Sequence, residues 1–195
     1  MDKINFKKII FALSTGLVFL LAALAADFSR AFFTASCAAQ TADASLESDV
    51  KAAYIINIVK FIDWQAGGKS EEKTIKIGLA GSDPICDVLE KISKNKTAGF
   101  SITTHRIDGG DIGSSECQLV FIGRSENKRL AEILKQLKGS PALSISDIPG
   151  FAERGGIMGF FLEKNRVKIE INLNEARRAG LKLGAKLLEV ARVIK

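Results

Sequence analysis

The chain is nearly empty of the residues that carry most site chemistry. His105 is the one histidine in 195 residues, and the three cysteines, Cys37, Cys86 and Cys117, form no Cys-x-x-Cys pair. Structural zinc sites draw their ligands from clustered Cys and His, and dithiol redox sites from closely spaced thiols, so neither chemistry is supported. His105 lies inside a strand-like segment with no nucleophile framed beside it, which reads as structural. No serine stands in a Gly-x-Ser-x-Gly elbow. The carboxylates are scattered without calcium-loop spacing, and Gly155-Gly156 opens no helix that could cradle a phosphate. Basic residues form no block interleaved with aromatics, so a nucleic-acid partner is not expected. The sequence implies no enzyme, no cofactor, no metal and no catalytic residue.

What is present starts at the N-terminus. Lys3, Lys7 and Lys8 precede an apolar run of 18 residues from Ile9 to Ala26, with Ala23-Leu24-Ala25 at its end and Ala38-Ala39-Gln40 beyond it as small-residue cleavage zones. A basic n-region, an apolar h-region and such a zone make a secretory signal. The expected division is 1–44 as signal peptide and short linker, and 45–195 as a single α/β domain exported to the periplasm. The run is longer than a usual h-region and close to a membrane span, so an uncleaved N-terminal anchor is the alternative. Thr34-Ala35-Ser36-Cys37 departs from a lipid-attachment box, which places Leu at its first position and abuts the h-region.

Removing residues 1–44 takes away four of the 28 basic and three of the 22 acidic residues and leaves a mild net charge of +5. The remaining 151 residues suffice for one domain with a proper core. Two cysteines survive, Cys86 and Cys117, and an even count in an exported chain suits one disulfide. Two separately buried thiols are the other reading.

Along the domain, the apolar residues Val50, Ala53, Tyr54, Ile58, Phe61 and Ile62 recur at helical spacing over 46–63. TIKIGLA at 74–80 alternates and reads as a strand. Asp83-Pro84 then supplies a helix cap and first turn, and that helix carries Cys86. Strands are expected at 100–107, 118–123 and 142–146, with a helix capped by Ser125 running to about Lys138. Residues 147–156 form a Gly/Pro-rich loop. Strands at 157–162 and 167–173 make a hairpin across Lys164-Asn165-Arg166. Asn174 is expected to cap a last helix, broken at Gly180 and resuming over Lys182–Ile194. Early alternation with a late hairpin indicates an α/β sandwich: a mixed, mostly parallel sheet flanked by helices, with a C-terminal hairpin and helix. Adjacent Phe160 and Phe161 must point to opposite sheet faces, so one is a candidate for exposure.

These segments resemble the YfiR family of periplasmic proteins. Val50-Lys51-Ala52-Ala53-Tyr54 through Phe61-Ile62-Asp63-Trp64 is similar to the family's N-terminal helix. Asp83-Pro84-Ile85-Cys86 and Cys117 before Leu119–Gly123 match its cysteine positions. The most specific stretch is Ser146-Asp147-Ile148-Pro149-Gly150-Phe151-Ala152-Glu153-Arg154-Gly155-Gly156. Phe160-Phe161-Leu162-Glu163, Arg166–Leu173, Ala176–Lys182 and Leu187-Leu188 follow it. The resemblance covers about residues 48–193. It implies a dimeric periplasmic α/β sandwich and, in the best-known member, a repressor. That repressor holds off an inner-membrane diguanylate cyclase by binding its periplasmic part, and an outer-membrane lipoprotein can sequester it. The resemblance also implies a Cys86–Cys117 disulfide; the family's second disulfide, near 151–156, has no counterpart here. Gln65 stands where Pro is usual, Gly159 where Asn is common and Gly184 where Ser is common. Trp64, Phe151, Glu153, Phe160 and Phe161 are the expected partner or ligand surface. A small-molecule-binding accessory of an envelope transport or sensing system is the alternative function.

Overall fold

The computed structural model describes residues 45–64, 74–94, 100–107, 112–113 and 115–195. The leader expected in 1–44 and the turn expected at 67–70 lie outside the described residues.

Residues 45–58 are helical (α1) and tighten into a 3-10 turn, Val59–Phe61, before the short strand β1 (Ile62–Asp63). Strand β2 (Thr74–Ala80) leads through Asp83 into α2 (Pro84–Ser93). Both signals read from the sequence operate: Asp83 Oδ1 accepts from the Ile85 amide at 3.2 Å, and Pro84 opens the helix, where its missing N–H costs nothing. Strands β3 (Ser101–Ile107) and β4 (Leu119–Ile122) follow, then a polar 3-10 segment (Arg124–Arg129), α3 (Leu130–Leu137) and β5 (Leu143–Ser146). Strands β6 (Met158–Glu163) and β7 (Arg166–Asn172) form the expected hairpin. Its turn residues Lys164 and Asn165 have φ of 49° and 59°, the left-handed pair that lets two residues close an antiparallel hairpin. The chain ends with α4 (Leu173–Arg178), β8 (Lys182–Leu183), α5 (Ala185–Val190) and β9 (Arg192–Ile194).

Seven strands form one sheet in the order β3-β2-β4-β5-β6-β7-β9, parallel throughout except for the β6–β7 hairpin. Strands β1 and β8 pair separately and antiparallel. The crossovers β2-α2-β3 and β4-α3-β5 run in opposite directions from the middle of the sheet. Right-handed crossovers then force α2 and α3 onto opposite faces. Two apolar layers result. One holds α1 and α2 against Ile75, Ile77, Leu79, Phe121 and Ile145; the other holds α3 against Val120, Ile122, Ala80 and Phe151. The expected α/β sandwich is therefore present.

Three local expectations are corrected. Ser125 does not cap α3; its Oγ accepts the Ser82 amide at 3.1 Å, joining the loops after β2 and β4. Helix α4 is capped by Asn172 rather than Asn174: the Asn172 Oδ1 accepts from Glu175 N at 3.1 Å, and its Nδ2 donates to Ala152 O at 2.9 Å. Lys182–Ile194 is not one helix. Lys182 and Leu183 pair with Asp63 and Ile62, Gly184 donates to Phe61 O at 2.8 Å, and Arg192–Ile194 adds to the sheet beside β7. Backbone pairing with distant strands outweighs the weak helical preference of those few residues.

Candidate functional site

Helix α1 is apolar on two sides, and the two sides have different fates. Ala52, Ile55, Ile56, Ile58 and Val59 face the core, all 7% exposed or less. Leu46, Val50, Tyr54 and Phe61 face outward, 62%, 37%, 38% and 40% exposed. Their spacing places them along one side of the helix and its 3-10 extension. Most of the stripe read from the sequence (Val50, Ala53, Tyr54, Phe61) is the outward one; only Ile58 and Ile62 of that set are buried. Tyr54 leans on Phe160, ring centroids 6.3 Å apart, and two residues along the same strand Leu162 is 51% exposed on the same sheet face.

A buried ionic cluster fixes α1 to the sheet. Lys51 lies in the inward stripe, 3% exposed, and its Nζ reaches Asp147 Oδ2 at 2.7 Å and Glu47 Oε1 at 2.5 Å. Asp147 directly follows β5 and is 5% exposed; Arg124, just after β4, brings Nε to Asp147 Oδ2 at 2.9 Å. Helix α1 is thereby clamped to the carboxyl ends of two central strands, which sets the angle at which it presents its outer stripe. Sequence reasoning missed this cluster. The legible signal was a lysine inside an apolar stripe and an aspartate at a strand end.

The sheet order reverses between β2 and β4, and the crevice at such a point commonly receives ligands. Here Asp83 occupies it. One carboxylate oxygen accepts from Ile85 N at the start of α2 and the other from Arg124 N at 3.3 Å. An anion would meet a carboxylate already holding those amides. His105 is exposed on the edge strand β3, and among the described residues no group of His, Cys, Asp or Glu could hold a metal ion.

The expected surface residues do not assemble. Trp64, Phe151 and Phe160 are core residues, 8%, 0% and 3% exposed. The Phe151 ring lies on Gly156, where a Cβ would sit 2.1 Å from it. The expectation of an exposed patch from these three aromatics is thus corrected: Trp64 and Phe160 are buried in the α1–α2 layer and Phe151 in the α3 layer on the other face. Phe161 points to the opposite face, as the two-residue period requires, half-buried with the Arg192 guanidinium 4.2 Å above its ring. Arg192 also pairs with the buried carboxylate of Glu170, and Glu153 is exposed nearby in the loop. Gly159 is explained here: a Cβ would lie 2.9 Å from Glu170 Oε1.

Cys86 and Cys117 are free thiols, which corrects the expected disulfide. The cause is topological. Cys86 on α2 packs in the layer of Ile77 and Leu79, while Cys117 Sγ lies 3.2 Å from where Gly78 would carry a Cβ, on the opposite face. A covalent bond would have to pass through the sheet. Burial pushes the Cys86 thiol pKa up to about 11 and raises that of Cys117 too, so both are poor nucleophiles.

Comparison with known proteins agrees with this architecture. A structure titled as a conserved domain protein from Vibrio cholerae O1 biovar El Tor str. N16961 superposes with a TM-score of 0.53 at 10% identity, over 76% of this chain and 60% of that one. The chain spans about three fifths of that protein's length, and at this identity the likeness is one of fold alone. The ABC domain in complex with L-Trp from Streptococcus pneumonia overlaps with a TM-score of 0.45 at 15% identity, over 63% of this chain and 55% of that one, too little to bear on the fold. A family model described as YfiR/HmsC-like matches residues 48–192, from α1 through the hairpin to β9. By that match the chain belongs to the YfiR/HmsC-like family.

Proposed function

We propose that the protein is a periplasmic regulator that binds the periplasmic part of an inner-membrane diguanylate cyclase-like protein and lowers cyclic di-GMP signalling. The observation that carries this reading is the outward apolar stripe of α1, Leu46, Val50, Tyr54 and Phe61, in a chain of this family. A contiguous exposed apolar stripe on a soluble domain is a common mark of a protein contact. A regulator of this kind needs a firmly held body and such a contact, and the buried Lys51–Asp147 pair ties the helix to the end of β5. In this reading residues 1–44 are a signal peptide and linker and 45–195 the working domain. Among the described residues no helix is long and apolar enough to cross a membrane. A homodimer, and capture by an outer-membrane lipoprotein, belong to the same reading.

The test is co-purification of the exported domain with the periplasmic domain of a neighbouring cyclase. Tyr54→Asp should abolish capture with only a modest fall in melting temperature, because Tyr54 is 38% exposed and its ring contact is with Phe160. Undiminished capture by Tyr54→Asp, with folding intact, counts against α1 as the contact. A second reading is a small-molecule-binding accessory of an envelope transport or sensing system. It is favoured by a separate observation, a cleft on the far side of the sheet.

A further inference from the structure

A cleft of about 280 Å³ opens between α3, the start of β5, the loop at Gly155 and α4. It lies on the α3 side, away from α1. Its walls are Leu134, Leu137, Ala142 and Ile157, the last three 8% exposed or less. Its floor includes Ser144, a hydroxyl on β5 that is 3% exposed. Ser144 Oγ accepts from Ile157 N at 3.0 Å, and among the described residues its own proton has no acceptor. Buried hydroxyl protons are normally used, so the cleft offers one unspent donor at its base. Lys135, Lys138 and Arg178 stand at the rim with one carboxylate, Glu175, which Arg178 already engages. Lys135 and Lys138 make no ion pair among the described residues.

Apolar walls and unpaired cations at the lip suit one chemistry. We propose that this cleft binds a small carboxylate carrying an apolar group, of the size of a medium-chain fatty acid or an aryl-alkanoic acid. The volume is at the low end for small-molecule sites, so the ligand is compact. The apolar group would pack on Leu134, Ala142 and Ile157, and the carboxylate would meet the lysines. The charge pattern disfavours amines and dications. This inference deepens the second reading above and is independent of the α1 contact.

The experiment is thermal shift and calorimetry on the folded 45–195 domain with octanoate and 3-phenylpropionate. Inorganic phosphate tests charge alone and octanamide tests the apolar group alone. Octanoate or 3-phenylpropionate should raise the melting temperature progressively with concentration, as a ligand that binds only the folded state must. Phosphate and octanamide should bind about tenfold more weakly or not at all. Lys135 and Lys138 are exposed, so Lys135→Glu with Lys138→Glu should leave the ligand-free melting temperature unchanged and weaken octanoate about tenfold or more. Ala131→Phe, on the exposed wall of α3, should block the cleft without unfolding the domain. Tyr54→Asp should bind octanoate like the parent, which separates this proposal from the regulator reading. No response to either acid at millimolar concentration, or equal binding by the charge-reversed and Ala131→Phe variants, overturns it.

Discussion

Asp147 and Lys51 are the two residues whose loss the fold should feel most. Each is nearly inaccessible, and Lys51 Nζ lies 2.7 Å from Asp147 Oδ2. Replacing one partner of a buried pair leaves the other desolvated and unmatched, which typically costs about 3–5 kcal/mol. Asp147→Ala should lower the unfolding free energy from urea titration by that amount, through a lower midpoint at an unchanged slope, because Lys51 and Arg124 both lose their acceptor. A change below about 1 kcal/mol would mean that the cluster is far more hydrated than its burial indicates. Cys86 makes a second residue-level case. Below pH 9 its thiol is protonated in both folded and unfolded chains. Between pH 9 and about 11 the unfolded chain loses the proton while the folded one keeps it, so stability falls through that window. The loss is roughly 2–3 kcal/mol when complete. Cys86→Ala should flatten this part of the profile in paired urea titrations at neutral and alkaline pH. Non-reduced, alkylated protein should show both Cys86 and Cys117 as free thiols by mass spectrometry.

At the scale of elements, α1 shows what was and was not legible. Its helical period was plain in the sequence, but its orientation was not. Both of its sides carry apolar residues, and the one lysine that points inward looks like a solvent marker until Asp147 is known to meet it. The hairpin was legible in full, since alternation and the Lys164-Asn165 turn fix it locally. Lys182–Ile194 was not, because two short strands there exist only through partners at 62–63 and 170–172. The aromatic residues near the hairpin were recognised as unusual, yet their burial depends on α1 and on the ring contact with Gly156. Phe160 and Tyr54 now separate cleanly. Phe160→Asp places a carboxylate in the core and should unfold the domain or cost at least about 3 kcal/mol, visible as lost near-UV dichroism. Tyr54→Asp removes the chain's one tyrosine and its near-UV band, so it should keep the far-UV dichroism and a cooperative unfolding transition while losing partner capture.

At the scale of the molecule, the sheet order explains why cysteine arithmetic misled. Two cysteines in an exported chain suit a disulfide, but the reversal of strand order between β2 and β4 sends α2 and α3 to opposite faces and parts the thiols. The same reversal builds the switch-point crevice and lets Asp83 close it. The two candidate surfaces lie on opposite sides of the sheet: the α1 stripe on one, the α3–α4 cleft on the other. A molecule arranged this way can hold a partner with one face and sense a small carboxylate with the other. The central claim is regulation of a cyclase. It is tested most directly by intracellular cyclic di-GMP in a deletion strain complemented with an exported copy. Deletion should raise cyclic di-GMP, the parent copy should restore it and the Tyr54→Asp copy should fail to do so. An unchanged level on deletion, with the gene expressed and the cyclase present, would contradict the account.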